Sequence, residues 1–232
     1  MNPVHEMARA LHFRSAVALV GTFPVLAGVD LDLDAGEIVA LAGPNGAGKT
    51  SILRAAAGLL RVTSGEAQVL GVDLLEDRRS ARWRIGLLGH DGGLYDDLTA
   101  EGNVGFALRA ARCGGINAAA ALERVGLTGR VITTAAGSLS AGQRRRVALA
   151  ILVARQPELW LLDEPHAGLD AASRDFLDGI IRDAAAAGST VLFASHEVER
   201  ARSLAGRLVT VAGGVVVPGP PALRKVEVAG VA

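Results

Sequence analysis

The chain has 232 residues, half of them hydrophobic, with 24 basic side chains against 24 acidic ones. That length and apolar content suit one large folded domain and exclude a disordered chain, while the cancelled charge argues against a protein built to grip nucleic acid through a basic face. A single cysteine, Cys113, excludes an intrachain disulfide and suits a reducing compartment, and no run approaches the roughly 20 apolar residues that span a bilayer. Met1 to Ala10 carries His5, Glu6 and Arg9 and no apolar signal core, so a cytoplasmic location is expected.

In chain order, Val29 to Leu33 alternates apolar and acidic residues, Asp34-Ala-Gly36 marks a turn, and Ile38 to Leu41 is a continuous apolar run. Such a run predicts a strand buried on both faces. Gly43 to Gly48 interrupts it, and Thr50 to Leu60 resumes at helical spacing through Ile52, Leu53, Ala56, Leu59 and Leu60. Residues from about 95 to 155 are rich in alanine, leucine and arginine and show helical signals without a strand, which reads as a helical insertion. Leu159 to Leu162 and Thr190 to Ala194 predict two further buried strands, joined by a helix from Ala171 to Ala187 that Gly188 ends. Strand, helix, strand in that order implies a parallel α/β sheet with a crossover. Leu208 to Val217, around Gly213-Gly214, predicts a closing hairpin. Trp83 is expected at the junction with the insertion, Trp160 in the sheet, and His166 in a turn.

Two segments carry chemistry. Gly43-Pro44-Asn45-Gly46-Ala47-Gly48-Lys49-Thr50 fits the phosphate-loop pattern, and it lies between a predicted strand and a predicted helix. The glycines let successive N–H groups turn toward phosphate oxygens, and the helix N-terminus at Ser51 adds partial positive charge. Lys49 is one of only two lysines, the other being Lys225; every other cation is arginine. A lysine kept against that bias suits a compact charge reaching the β- and γ-phosphates of ATP, with the Thr50 hydroxyl on Mg²⁺. The second segment, Leu159-Trp-Leu-Leu-Asp163-Glu164, ends a buried strand in two carboxylates. Phosphoryl chemistry needs one carboxylate for Mg²⁺, usually through water, and a second group to orient the attacking water. Asp163 suits the first role and Glu164 the second.

Leu139-Ser140-Ala141-Gly142-Gln143 resembles the signature of ABC ATPases. The surrounding order matches too: phosphate loop, a segment in the Gln-loop position from Ile85 to Asp91, signature, Asp163-Glu164-Pro165, the D-loop-like Ala167-Gly-Leu-Asp170, and Ser195-His196. The resemblance implies a P-loop NTPase core of the RecA-like kind, with a parallel sheet, N-terminal antiparallel strands and an inserted α-helical subdomain. On that reading one domain fills the chain, with its core over about 1–89 and 156–218, the helical part over about 90–155, and a loose tail over 219–232. The resemblance also implies a head-to-tail homodimer in which Ser140, Ala141, Gly142 and Gln143 of one copy meet the ATP of the other. It makes His196 a switch residue at the γ-phosphate, and integral-membrane permease subunits the partners, with the chain peripheral on the cytoplasmic face.

The chain departs from the pattern at four places. His90 stands where the family has glutamine, Ala141 replaces a signature glycine, and Ala167 replaces a D-loop serine. Val20 occupies the place of the adenine-stacking aromatic; Phe23 is the only nearby candidate for that role, and turn or core packing is the commoner reading of it. A neutral His90 offers one donor and one acceptor, as the amide does. The Leu-Ser-Ala-Gly-Gln segment with Arg144-Arg145-Arg146, and Gly89-His90 leading to Tyr95 and Asn103, are similar to the ATP-binding subunit of the haem exporter of cytochrome c maturation. The alternatives are another exporter of drugs, polysaccharide or lipid, and a soluble ABC ATPase, for which the coiled-coil or zinc insertions are missing. The arginine run itself is expected to be a solvated helix face with local acid partners.

Overall fold

The computed structural model describes residues 9–89 and 92–217; His90, Asp91 and the tail over 219–232 lie outside the described residues. Strands β1 (Arg9–Val20) and β2 (Phe23–Asp34) pair antiparallel. The alternation along β2 works as expected: Val29, Leu31 and Leu33 are buried, and the aspartates between them face outward. The apolar run forms β3 (Ile38–Ala42), and helix α1 (Lys49–Ala56) begins inside the glycine loop. The spacing predicted this helix to reach Leu60, but it stops four residues earlier. Gly58 turns left-handed (φ 64), which lets Leu59 and Leu60 donate back to the Arg54 carbonyl.

The chain continues through β4 (Val62–Val69), β5 (Val72–Asp73) and β6 (Ile85–Leu88) into three helices. These are α2 (Ala100–Ala110), capped by Thr99, α3 (Ala118–Arg124), capped by Asn117, and α4 (Ala141–Arg155), capped by Ser140. Then follow β7 (Leu159–Asp163), α5 (Ala171–Ala186), β8 (Thr190–Ala194), α6 (Val198–Leu204) and the hairpin of β9 (Arg207–Ala212) with β10 (Val215–Val217).

Two sheets result. One is antiparallel in the order β2-β1-β4-β5; the other runs β10-β9-β3-β8-β7-β6 and is parallel except for β10. Successive residues of the parallel strands point to opposite faces, and both faces are covered. Leu41, Leu161 and Leu192 pack with α1 and the antiparallel sheet, while Trp160, Leu162 and Phe193 pack against α2 to α6. Each fully buried Leu or Phe contributes roughly 1.5–3 kcal/mol. The layered core fixes the ends of β3, β7 and β8 side by side, and the chemistry-bearing residues follow those ends.

Trp160 is buried in the sheet as expected, its Nε1 donating to the Pro157 carbonyl at 3.1 Å. Trp83 does not pack at a junction: it is 69% exposed. His166 lies in the turn after β7, as expected, but its side chain is not at the surface. It is 2% exposed, because its ring turns inward to Asp178 on α5 and lies edge-on to Phe193.

Candidate active site

The glycine loop owes its shape to contacts on both sides. Gly43 (φ 146) packs so tightly under β9 that a Cβ would collide with the Val211 carbonyl oxygen, and Gly48 (φ 109) lies under Gly214 and the Val25 carbonyl. Only glycine tolerates both the conformation and the approach. The Gly214 N–H donates to the Ala47 carbonyl at 2.8 Å, and the Ala27 N–H donates to the Gly214 carbonyl at 2.9 Å. Lys49 is buried, with Nζ donating to the carbonyls of Gly43 (2.8 Å) and Pro44 (3.1 Å). Its ammonium is thus held over the loop, whose N–H groups and helix end already attract anions.

Thr50, at the second position of α1, turns its hydroxyl to both carboxylate oxygens of Asp163, at 2.9 and 3.1 Å. Hydroxyl and carboxylate oxygens side by side are the hard donors that Mg²⁺ takes together with phosphate oxygens. One residue on, Glu164 adopts a left-handed backbone (φ 47) and donates its N–H to the Ala194 carbonyl at the end of β8. Its carboxylate lies 2.7 Å from His196 Nδ1. Two adjacent strand ends therefore bring together a pair that the sequence separates by 32 residues. A cavity of about 660 Å³ is lined by Phe23, Val25, the loop from Asn45 to Ser51, Asp163, Glu164 and Gly213-Gly214. A cavity of equal volume opens beside Arg9, His12, Arg84 and Glu158, away from the glycine loop, and has no such backbone cradle.

Ser140, Ala141, Gly142 and Gln143 do not line the nucleotide-sized cavity. They start α4, where Ser140 Oγ accepts the Gln143 N–H and Gln143 Oε1 accepts the Ser140 N–H, a reciprocal cap. Asp170 similarly caps α5, and the Ser173 backbone N–H holds its carboxyl below the usual range. Two expectations need correction. Phe23 is not core packing: it is 71% exposed at the mouth of the cavity, because it opens β2 immediately after the hairpin turn. Nor is the arginine run a solvated face. Arg144 does meet an acid, Asp96, at 2.6 Å, but Arg146 bonds the Ser173 hydroxyl at 2.8 Å and Arg145 points into the end of β7. Gly213-Gly214 read only as a turn in the sequence; the adjacent glycines were the one available sign of a close backbone approach.

The sequence profile of the ABC transporter family matches residues 26–167, the stretch that runs from β2 through the acid pair. The chain belongs to the ABC transporter family. Like other ABC ATPases it binds and hydrolyses ATP. Over 172 residues it is 44% identical to the cytochrome c biogenesis ATP-binding export protein CcmA of Bordetella bronchiseptica, covering 72% of this chain and 75% of that one. It is 35% identical over 205 residues to the sn-glycerol-3-phosphate import ATP-binding protein UgpC 1 of Rhizobium johnstonii, covering 84% of this chain and 54% of that one. Among solved structures, a dimeric post-hydrolysis state of the ATP-binding cassette MJ0796 with ADP and phosphate superposes with a TM-score of 0.82. That match is 25% identical and covers 90% of this ABC ATPase and 97% of the other chain. No helix among the described residues is long and apolar enough to cross a membrane.

Proposed function

We propose that this ABC ATPase drives a membrane permease that exports haem for cytochrome c maturation, working as a head-to-tail homodimer on the cytoplasmic face of the membrane. The observation that carries the catalytic part is the convergence of the glycine loop, Thr50-Asp163 and Glu164-His196 on one cavity. ATP would lay its phosphates on the N–H groups from Gly46 to Ser51, with Lys49 leaving its loop carbonyls for the β- and γ-oxygens. Thr50 and Asp163 would hold Mg²⁺, which neutralises charge on the β- and γ-phosphates when bound. Glu164 would accept a proton from the attacking water, and His196 would hold the carboxylate and approach the γ-phosphate. Phe23 would offer its ring to the adenine at the cavity mouth.

Ser140 and the free N–H groups at the start of α4 would meet the nucleotide of the second copy, since they do not reach the cavity of their own chain. The export reading is supported by the CcmA likeness and by the Leu-Ser-Ala-Gly-Gln segment. The UgpC likeness supports the shared ATPase machinery, because substrate choice belongs to the permease. Complementation tests the proposal. In cells lacking their own cytochrome-maturation ATPase, the natural chain, expressed with its permease, is expected to restore haem attachment to c-type cytochromes, and Lys49→Ala is not. No restoration, in a strain that makes the protein and in which purified protein hydrolyses ATP, would overturn the haem assignment and leave the ATPase assignment intact.

A further inference from the structure

The three carbonyls at the end of β7 do not continue a sheet. Asp163 is the last residue of the strand, Glu164 turns left-handed, and Pro165 has no N–H, so the chain bends away from its neighbours. Their oxygens converge on one side chain. Arg145 Nη2 donates to the carbonyls of Asp163 (3.1 Å) and Glu164, and Arg145 Nε donates to that of Pro165 (2.9 Å). A guanidinium suits this arrangement because its donors form a rigid planar fork, whereas an ammonium would have to serve three acceptors from one point. The group is buried enough that desolvation lowers its pKa, opposed by the carboxylates of Asp163 and Glu164. Left-handed backbone at a non-glycine residue persists only where the surroundings hold it. Arg145 holds Glu164 there together with the Ala167 N–H, which donates to the same carbonyl at 3.1 Å, and the Ala194 carbonyl, which accepts the Glu164 N–H.

Arg145 also lies on α4, five residues beyond the Ser140 cap. We propose that Arg145 is a positioning residue for hydrolysis: it fixes the backbone of Glu164 so that the carboxylate meets the attacking water. Through the same bonds it ties the acid pair of one nucleotide site to the signature helix, which serves the other site in a head-to-tail dimer. The proposal rests on the functional reading above.

The test compares Arg145→Gln, Arg145→Lys, Glu164→Gln and the double variant Arg145→Gln/Glu164→Gln with the natural chain. Arg145 does not touch the glycine loop, so Arg145→Gln is expected to bind a fluorescent ATP analogue within about twofold of the natural protein. Its kcat is expected to fall about tenfold or more, with Arg145→Lys recovering part of the loss. Because Arg145 acts through Glu164, the double variant is expected to turn over no more slowly than Glu164→Gln alone in single-turnover assays. An unchanged kcat in Arg145→Gln overturns the proposal, and so do losses that multiply in the double variant. Parallel falls in affinity, turnover and thermal midpoint in both single variants would assign Arg145 to folding and overturn it equally. Activity of the natural chain in the same assay reports on the functional reading; the ratios between variants report on Arg145.

Discussion

His196 Nδ1 lies 2.7 Å from Glu164 Oε2, and the same oxygen accepts the His196 backbone N–H at 3.3 Å. Ring and backbone of His196 thus meet the same carboxylate oxygen and hold the Glu164 side chain beside the end of β8. Glu164→Gln keeps the shape of this contact but removes the basic oxygen. The variant is expected to bind ATP and lose about 100-fold or more in turnover. Size-exclusion chromatography with light scattering should show a monomer becoming a dimer when ATP is added. A variant that binds ATP and stays monomeric at high concentration would count against the head-to-tail arrangement.

Thr50 and Asp163 predict a metal phenotype. Thr50→Val is nearly isosteric and deletes the hydroxyl that reaches Asp163. The Mg²⁺ concentration giving half-maximal ATPase activity should rise at least about tenfold, and EDTA should abolish turnover of the natural protein. Equal Mg²⁺ requirements in the two proteins would remove Thr50 from the metal site.

His166 predicts how stability follows pH. Its Nε2 lies 2.7 Å from Asp178 Oδ1, while Nδ1 is buried without a hydrogen-bond partner among the described residues. Protonation would place an unpaired N–H there, and burial lowers the pKa, with Arg200 adding to the shift and Asp178 and Glu197 opposing it. A histidine whose folded pKa lies below its unfolded value of about 6.5 stabilises fully above that value. Its contribution is lost as pH falls from there toward the folded pKa, because the unfolded chain then binds more protons. The thermal midpoint should therefore drop between pH 7 and pH 5, and less steeply in His166→Gln, whose amide still donates to Asp178. Parallel curves would show that His166 does not govern this dependence.

Glycine substitutions should separate two kinds of position. Gly43→Ala forces a Cβ into the Val211 carbonyl at a φ of 146 and should cost about 2 kcal/mol or more, together with ATP affinity. Gly142 has no neighbour within 4 Å of a built Cβ and sits in helical backbone. Gly142→Ala should leave monomer stability within about 0.5 kcal/mol and weaken only the ATP-driven dimer. Differential scanning calorimetry reads the first effect and light scattering the second.

The phosphate loop, the acid pair and the buried strands were legible in the sequence because each is local: residue type and spacing dictate the backbone. The antiparallel strands were harder. In β4, Val62, Ala67 and Val69 are buried but the residues from Thr63 to Glu66 are exposed. Gly65 lies under the Ser15 carbonyl, where β1 shifts register and the two-residue period is lost. Phe23 and Gly214 reach the loop only through tertiary pairing, and no local pattern announces it. Arg145 misled in the opposite way, since an arginine on a helix ordinarily reads as a solvated charge.

The hairpin of β9 and β10 gives the glycine loop its ceiling: Val211 closes over Gly43, and Gly214 clamps Ala47 and Ala27. Its residues leave the ribosome roughly 170 positions after the loop that they shape. During synthesis the nucleotide cradle must therefore wait, complete in sequence and unfinished in form, until almost all of the domain has emerged. A nascent chain halted before Val211 should not retain ATP. Retention of nucleotide would then report that the hairpin has closed over the loop, and a chain truncated before Val211 is expected not to hydrolyse ATP.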